Sequence, residues 1–229
     1  CPGLHPGYGV GKSMLTLYGY WRSSAAYRVR IALGLKGLAY RQESVHLVKD
    51  GGQQHAAEYR ELNPQELVPL LVDDVNGGAR IAQSLAILEY LEEIFPVPAL
   101  LPADPAERAQ VRALALHIAC DVHPLNNLRV LQYLSAELGV DDEAKNAWYR
   151  HWVALGLDAV EEGLAVFDGR LSLGERPGYL EACLIPQLYN ARRFNCDLAA
   201  YPRIVAMAAR CEPLEAFQLA APEVQADAQ

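Results

Sequence analysis

Pro96, Pro98, Pro102 and Pro105 place four prolines within ten residues. Proline has no N–H to donate and fixes its own φ, so this stretch cannot continue a helix or a sheet and reads as a stiff connector. The hydrophobic pattern changes across it. Before it, short apolar runs over 15–20, 39–47, 70–72 and 80–82 read as strands, and amphipathic runs after Ser24, over 56–62 and after Ser84 read as helices. After it, Ala, Leu, Glu and Arg recur at helical spacing over 106–138, 141–167, 180–194 and 202–211, with a short piece near 214–219. Pro124 is expected to bend the first of these. The predicted organisation is a βαβ–α–ββα domain over 14–96, a linker over 97–105 and an all-helical domain over 106–229.

Residues 1–13 are rich in Gly and Pro and look foreign to either domain. Gly11-Lys12-Ser13 resembles the end of a phosphate-binding loop. That motif needs glycine at position 6, where Pro6 stands, and a strand before it, so the segment is expected to be a tail.

Charge and cysteines narrow the function class. The 229 residues carry a net charge of −8 and no long basic run, which argues against nucleic acid as a partner. No apolar run reaches membrane-spanning length, and no signal peptide is visible. The five cysteines, Cys1, Cys120, Cys183, Cys196 and Cys211, have no metal-site spacing, so a reduced, cytoplasmic protein without a metal is expected. Cys120 and Cys183 sit in apolar helical patterns and are expected to be buried.

Three stretches carry chemistry. The run from Leu15 breaks at Ser23-Ser24 and continues as a helix. Serine hydroxyls cap helix starts, and a helix start attracts anions through its outward N–H groups and its dipole. The same pattern also serves as an ordinary strand-to-helix turn. Gln83-Ser84 repeats it, with Ser84 expected to cap the next helix. Between them, Val68-Pro69 precedes a strand. A cis bond there would leave the backbone of Val68 open to a peptide-like ligand; the residues alone leave cis and trans open.

These stretches resemble the zeta class of glutathione transferases, which contains the maleylacetoacetate and maleylpyruvate isomerases. The resemblance runs from Met14 to about Phe217. It is carried by Arg22-Ser23-Ser24 with Arg28-Val29-Arg30-Ile31-Ala32-Leu33, by 49–54, by Leu62-Asn63-Pro64 with Val68-Pro69, and by Gln83-Ser84-Leu85-Ala86-Ile87. In the second half, 121–127, Leu184-Ile185-Pro186-Gln187 and Ala191-Arg192-Arg193-Phe194 belong to it. It implies a thioredoxin-like N-terminal domain with an all-α C-terminal domain, the glutathione transferase fold, a cis bond before Pro69, a homodimer, and glutathione as cofactor.

The resemblance also implies roles. Ser23 and Ser24 would hold the glutathione sulfur as thiolate, Gln83 and Ser84 the γ-glutamyl end, Val68 the peptide middle and Gln54 the glycyl end. Arg28, His123 and Asn127 join this cofactor-binding set. The implied reaction is glutathione-dependent cis–trans isomerisation of a dicarboxylate keto acid with a maleyl group. Arg22, Arg129 and Arg193 are the candidates for its carboxylates, because guanidinium pairs bidentately with them; arginines also serve as surface ion-pair partners. Arg129 resembles the maleylpyruvate rather than the maleylacetoacetate isomerases. The chain departs from the family at Ala25, where many members carry cysteine, and at Gly178, where a threonine usually caps a helix. Glu181 keeps the acid of that capping box, and the glycine is expected to soften the helix start. A broad-range glutathione transferase and a non-catalytic glutathione-binding module remain alternatives.

Overall fold

The structure is a computed structural model; it describes residues 15–229, and the expected tail over 1–13 lies outside the described residues. These residues form two compact units. One comprises the described residues up to Pro98 together with Glu215–Gln229, and the other comprises Ala99–Leu214. The final stretch therefore belongs with the first unit, not with the helical domain predicted for 106–229. Its backbone explains why: buried Arg30 donates from Nε to the Ala220 carbonyl at 2.9 Å, and Gly34 leaves room for α9 (Glu215–Gln218) beside Ala216.

In the first unit, β1 (Leu15–Gly19), β2 (Arg41–Ser44), β3 (Leu70–Asp73) and β4 (Ala79–Ala82) form one sheet in the order β2-β1-β3-β4. β1 and β2 are parallel, so a crossover must join them, and α1 (Ser24–Leu35) supplies it. The β1–β3 and β3–β4 pairs are antiparallel, with Leu17 opposite Leu71 and Leu71 opposite Ile81. Side chains alternate along β1. Gly19 faces Ala26 of α1, so Leu15 and Leu17 share that face. Tyr18 points the other way, its ring 6.1 Å from that of Tyr59 in α2 (Ala57–Leu62). α3 (Ser84–Ile94) packs against α1, and Ile31, Leu33, Ile87, Leu88 and Leu91 are fully buried there. The buried Lys36 ammonium joins the ends of these helices. It reaches Glu92 at 2.8 Å and the carbonyls of Phe95 and Pro98 at 2.7 and 2.9 Å, and burial lowers its pKa.

The second strand is shorter than the 39–47 expected. It pairs with β1 only as far as Ser44. His46 then gives its N–H to Gln53 Oε1 at 2.8 Å and takes the Gln53 N–H on its carbonyl at 2.9 Å. This local exchange turns the chain out of the sheet.

The second unit is built on helices α4 (Pro105–Leu116), α5 (Leu128–Ala136), α6 (Asp142–Gly163), α7 (Tyr179–Arg193) and α8 (Pro202–Cys211). Helix α7 is buried along nearly its whole length, its polar Glu181, Gln187 and Asn190 included. The predicted helix over 106–138 is broken rather than bent. A π-helical turn over His117–Val122 and a 3₁₀ turn over His123–Asn126 separate α4 from α5. Pro124 cannot donate an N–H, and Asn127 starts a new helix by accepting the Arg129 N–H at 3.2 Å. Gly156 of α6 allows this break to pack closely, since a Cβ there would stand 2.2 Å from Val122 Cγ2. The π turn places Ile118 and Val122 inward and leaves Cys120 exposed, against the expectation for that thiol; Cys183 is buried as expected.

The start of α7 also differs from expectation. Glu181 is fully buried and accepts the Gly178 N–H at 2.8 Å, so the acid half of the capping box is made. The Tyr179 N–H reaches the Leu100 carbonyl at 2.9 Å. A Cβ at Gly178 would lie 2.3 Å from that carbonyl oxygen. Glycine is required here by close backbone approach and does not soften the helix start. Gly178→Thr, which restores the family's hydroxyl, is therefore expected to destabilise the protein by about 2 kcal/mol. Urea unfolding checks this; equal or greater stability would show that Leu100 yields.

Candidate active site

The turn between β1 and α1 is organised by its own backbone. Ser23 N–H closes it on the Tyr20 carbonyl at 2.9 Å. Ser23 is the N-cap of α1, its Oγ accepting the Ala26 N–H at 3.2 Å. A hydroxyl that accepts from the helix keeps its own O–H to donate elsewhere, and Ser23 is part-exposed. Ser24 is buried in the first helical turn, so the two serines are not equivalent. Ala25 is part-exposed beside them. The exposed Arg22 lies over the Trp21 ring, its Cζ 4.2 Å from the centroid.

Two further predicted residues meet nearby in this unit. Arg28, buried on α1, donates from Nη1 to Ser84 Oγ at 3.1 Å. Ser84 does not cap α3 as expected. The N-cap is Gln83, held at φ 71° with no side-chain cap bond, and Ser84 is the first helical residue. The tertiary contact with Arg28 directs the Ser84 hydroxyl instead. Gln83 Nε2 donates to Gln65 Oε1 at 2.6 Å. The Val68–Pro69 bond is cis, as the family resemblance implies, and Val68 precedes β3 without joining it. Gln54 is buried, and its Oε1 finds no partner among the described residues.

The remaining predicted residues are on the helical unit. Asn127 caps α5, and its Nδ2 lies 3.4 Å from His123 Nε2. The Trp148 indole donates to the Leu125 carbonyl at 2.8 Å and holds this turn against α6. Arg129 is exposed two residues after the cap. Arg193 is also exposed, with its Cζ 5.1 Å from the Phe194 ring centroid, and Phe194 stacks on Tyr149 of α6 at 3.5 Å. The neighbouring Arg192 is taken by Glu212. Arg22, Arg129 and Arg193 make no ion pair among the described residues, whereas Arg41, Arg60, Arg192, Arg203 and Arg210 each meet a carboxylate.

Sequence reasoning missed Arg30 and Asp227. Arg30 is 1% exposed, and burial lowers its guanidinium to about 10. Its place among apolar neighbours in Val29-Arg30-Ile31 was a usable signal of burial. Asp227 meets Trp21 across 206 positions, and no local pattern predicts such a contact. His55 and Glu66, 2.6 Å apart between Nδ1 and Oε2, were also missed; this contact lowers the Glu66 pKa through the His55 hydrogen bond.

The chain is similar to known proteins along most of its length. Residues 17–101 match the family model described as glutathione S-transferase, N-terminal domain. A probable maleylacetoacetate isomerase of Vibrio cholerae is 56% identical over 214 residues, covering 93% of this chain and 98% of the relative. The holo structure of a maleylpyruvate isomerase, a bacterial zeta-class glutathione S-transferase, superposes with a TM-score of 0.88 at 47% identity, covering 93% of this chain and all of that one. A maleylacetoacetate isomerase from Methylobacterium extorquens AM1, solved with bound malonate and glutathione, has a TM-score of 0.87 at 39% identity and covers 93% of this chain and 99% of its own. With this identity running through both units, the chain belongs to the glutathione transferase family, in the zeta class with the maleylacetoacetate and maleylpyruvate isomerases.

Proposed function

We propose that this protein is a glutathione-dependent cis–trans isomerase of a maleyl keto acid, converting maleylpyruvate or maleylacetoacetate to the fumaryl isomer. The observation that carries this reading is Ser23, whose oxygen is engaged by the helix while its O–H remains to donate. The first unit suits glutathione: Gln54 Oε1 is a buried acceptor with no partner among the described residues, and the Arg28 guanidinium sits on Ser84. Glutathione held there would supply a thiolate for reversible addition to the cis double bond, which as a single bond could rotate before the thiolate is eliminated.

The chain's own residues make that chemistry feasible. A free thiol near pKa 8.5 is mostly protonated at neutral pH. The Ser23 hydroxyl and the N-terminus of α1 favour the anion by hydrogen bonding and dipole. Arg28, through Ser84, places positive charge where a γ-glutamyl carboxylate is to be bound, with Gln83 beside it. Val68 offers its backbone to the peptide middle, and Gln54 accepts a peptide N–H toward the glycyl end. His123 and Asn127 complete the cofactor-binding set. Arg22, Arg129 and Arg193, which pair with no acid among the described residues, neutralise the substrate carboxylates and the charge that develops on its conjugated oxygens.

A homodimer in the cytoplasm, and the two-domain division at the proline-rich linker, complete the proposal. Light scattering tests the dimer. No helix among the described residues is long and apolar enough to cross a membrane.

The direct test supplies maleylpyruvate and maleylacetoacetate with and without glutathione and follows loss of the cis compound. No glutathione-dependent loss of either compound rejects the isomerase. Arg129→Ser is expected to lower kcat/KM on maleylpyruvate about tenfold and on maleylacetoacetate by less than about threefold, since a 2-oxo acid sets its second carboxylate closer to the reacting bond. Equal effects on both would remove Arg129 from substrate choice.

A further inference from the structure

The peptide groups on both sides of Trp21 are held by residues outside the turn. Its N–H donates to Asp227 Oδ2 at 3.1 Å. Its carbonyl accepts from Arg30 Nη2 at 3.0 Å. Both holders lead to the C-terminal stretch, because Arg30 Nε also binds the Ala220 carbonyl at 2.9 Å. The same Asp227 oxygen accepts the Ser44 hydroxyl at 2.8 Å. Ser44 is the last residue of β2 and stands opposite Gly19 in the sheet register. One carboxylate therefore ties the end of the edge strand to the residue that enters the turn. Arg22 and Ser23 follow immediately, Arg22 lying on the Trp21 ring.

We propose that Asp227 is a positioning residue for catalysis: it fixes the Trp21 peptide, and through it the Ser23 hydroxyl, an inference that rests on Ser23 as the donor to the glutathione thiolate. The physical basis is the short range of that donation. A hydrogen bond to an anion weakens steeply with displacement and misalignment, so a turn free to drift stabilises the thiolate less. Binding of the rest of glutathione depends on Ser84, Gln83 and Val68, which Asp227 does not touch. Its removal is thus expected to separate sulfur activation from cofactor affinity.

Asp227→Ala and Asp227→Asn in the full chain test this, read by steady-state isomerisation and by the ultraviolet thiolate absorbance of the enzyme–glutathione complex against pH. For Asp227→Ala, kcat is expected to fall about fivefold to tenfold while the glutathione KM moves less than about twofold. The thiolate midpoint is expected to rise by about 0.7 to 1 unit, the shift that corresponds to such a loss. Asp227→Asn keeps an oxygen that accepts the same N–H and is expected to recover most of kcat. Wild-type kcat and an unmoved midpoint in Asp227→Ala would overturn the inference. So would a lower melting temperature with the midpoint and kcat per folded molecule unchanged. The thiolate titration needs only bound glutathione. If wild-type protein binds glutathione but isomerises nothing, the functional reading fails while the midpoint still decides the role of Asp227.

Discussion

Ser23→Ala is expected to reduce glutathione-dependent turnover by about 100-fold or more and to destabilise the protein by about 1 kcal/mol. Both effects come from one oxygen. As acceptor, Ser23 Oγ satisfies the Ala26 N–H at the start of α1. As donor, it is proposed to hold the thiolate. Three substitutions separate the two. Alanine removes both functions. Asparagine caps a helix as well as serine does and retains neutral donors, so Ser23→Asn is expected to recover the stability and part of the turnover. Aspartate also caps well, but it sets a negative charge beside the sulfur, so Ser23→Asp is expected to be stable and inactive. Ser24→Ala is the control. Ser24 is buried in the first turn, and its loss is expected to leave the bound thiol's titration in place. Turnover in Ser23→Ala within about threefold of wild type would end the claim that this hydroxyl activates the sulfur.

Glu181→Ala carries the largest expected cost in stability, about 3–5 kcal/mol. The carboxylate is fully buried. It accepts the Ser172 N–H at 2.7 Å, the Ser172 hydroxyl at 2.5 Å and the Gly178 N–H at 2.8 Å. Removing it strands two backbone donors in the interior, each of which costs the desolvation of an unmade bond. The melting temperature of a protein this size is expected to drop by roughly 10 °C. Glu181→Gln keeps one accepting oxygen and replaces the other with a donor facing donors, so it is expected to lose about half as much. Glutathione-dependent turnover per folded molecule is expected to survive both changes, since Glu181 belongs to the helical unit's framework. A loss below about 1 kcal/mol would mean that water satisfies these donors after substitution.

The two units differ in how far their pattern could be read. Around β1 and α1 the chemistry is local: an apolar run, a serine pair and an amphipathic run follow each other, and the structure puts Ser23 at the cap. In the helical unit, continuous helical spacing over 106–138 concealed a break, because composition keeps the same period while Pro124 and the Asn127 cap divide the backbone. Periodicity also assigned Cys120 to the core, but the π turn resets which residues face inward. Gly178 looked like a missing cap, since the capping pattern names a side chain and says nothing of a carbonyl approaching from Leu100.

Local sequence determined what short-range physics controls: the element order βαβ–α–ββα, the stiff proline segment, the serine cap at α1 and the residues of the zeta-class pattern. Tertiary structure decided which polar groups those residues meet. It gave Ser84 to Arg28 rather than to its own helix, joined Glu215–Gln229 to the first unit, and brought Asp227 to Trp21. Periodicity and capping act over a few residues, whereas a buried arginine or carboxylate takes whichever partner the packed chain brings within hydrogen-bond reach. In a chain this long, that partner can lie two hundred positions away.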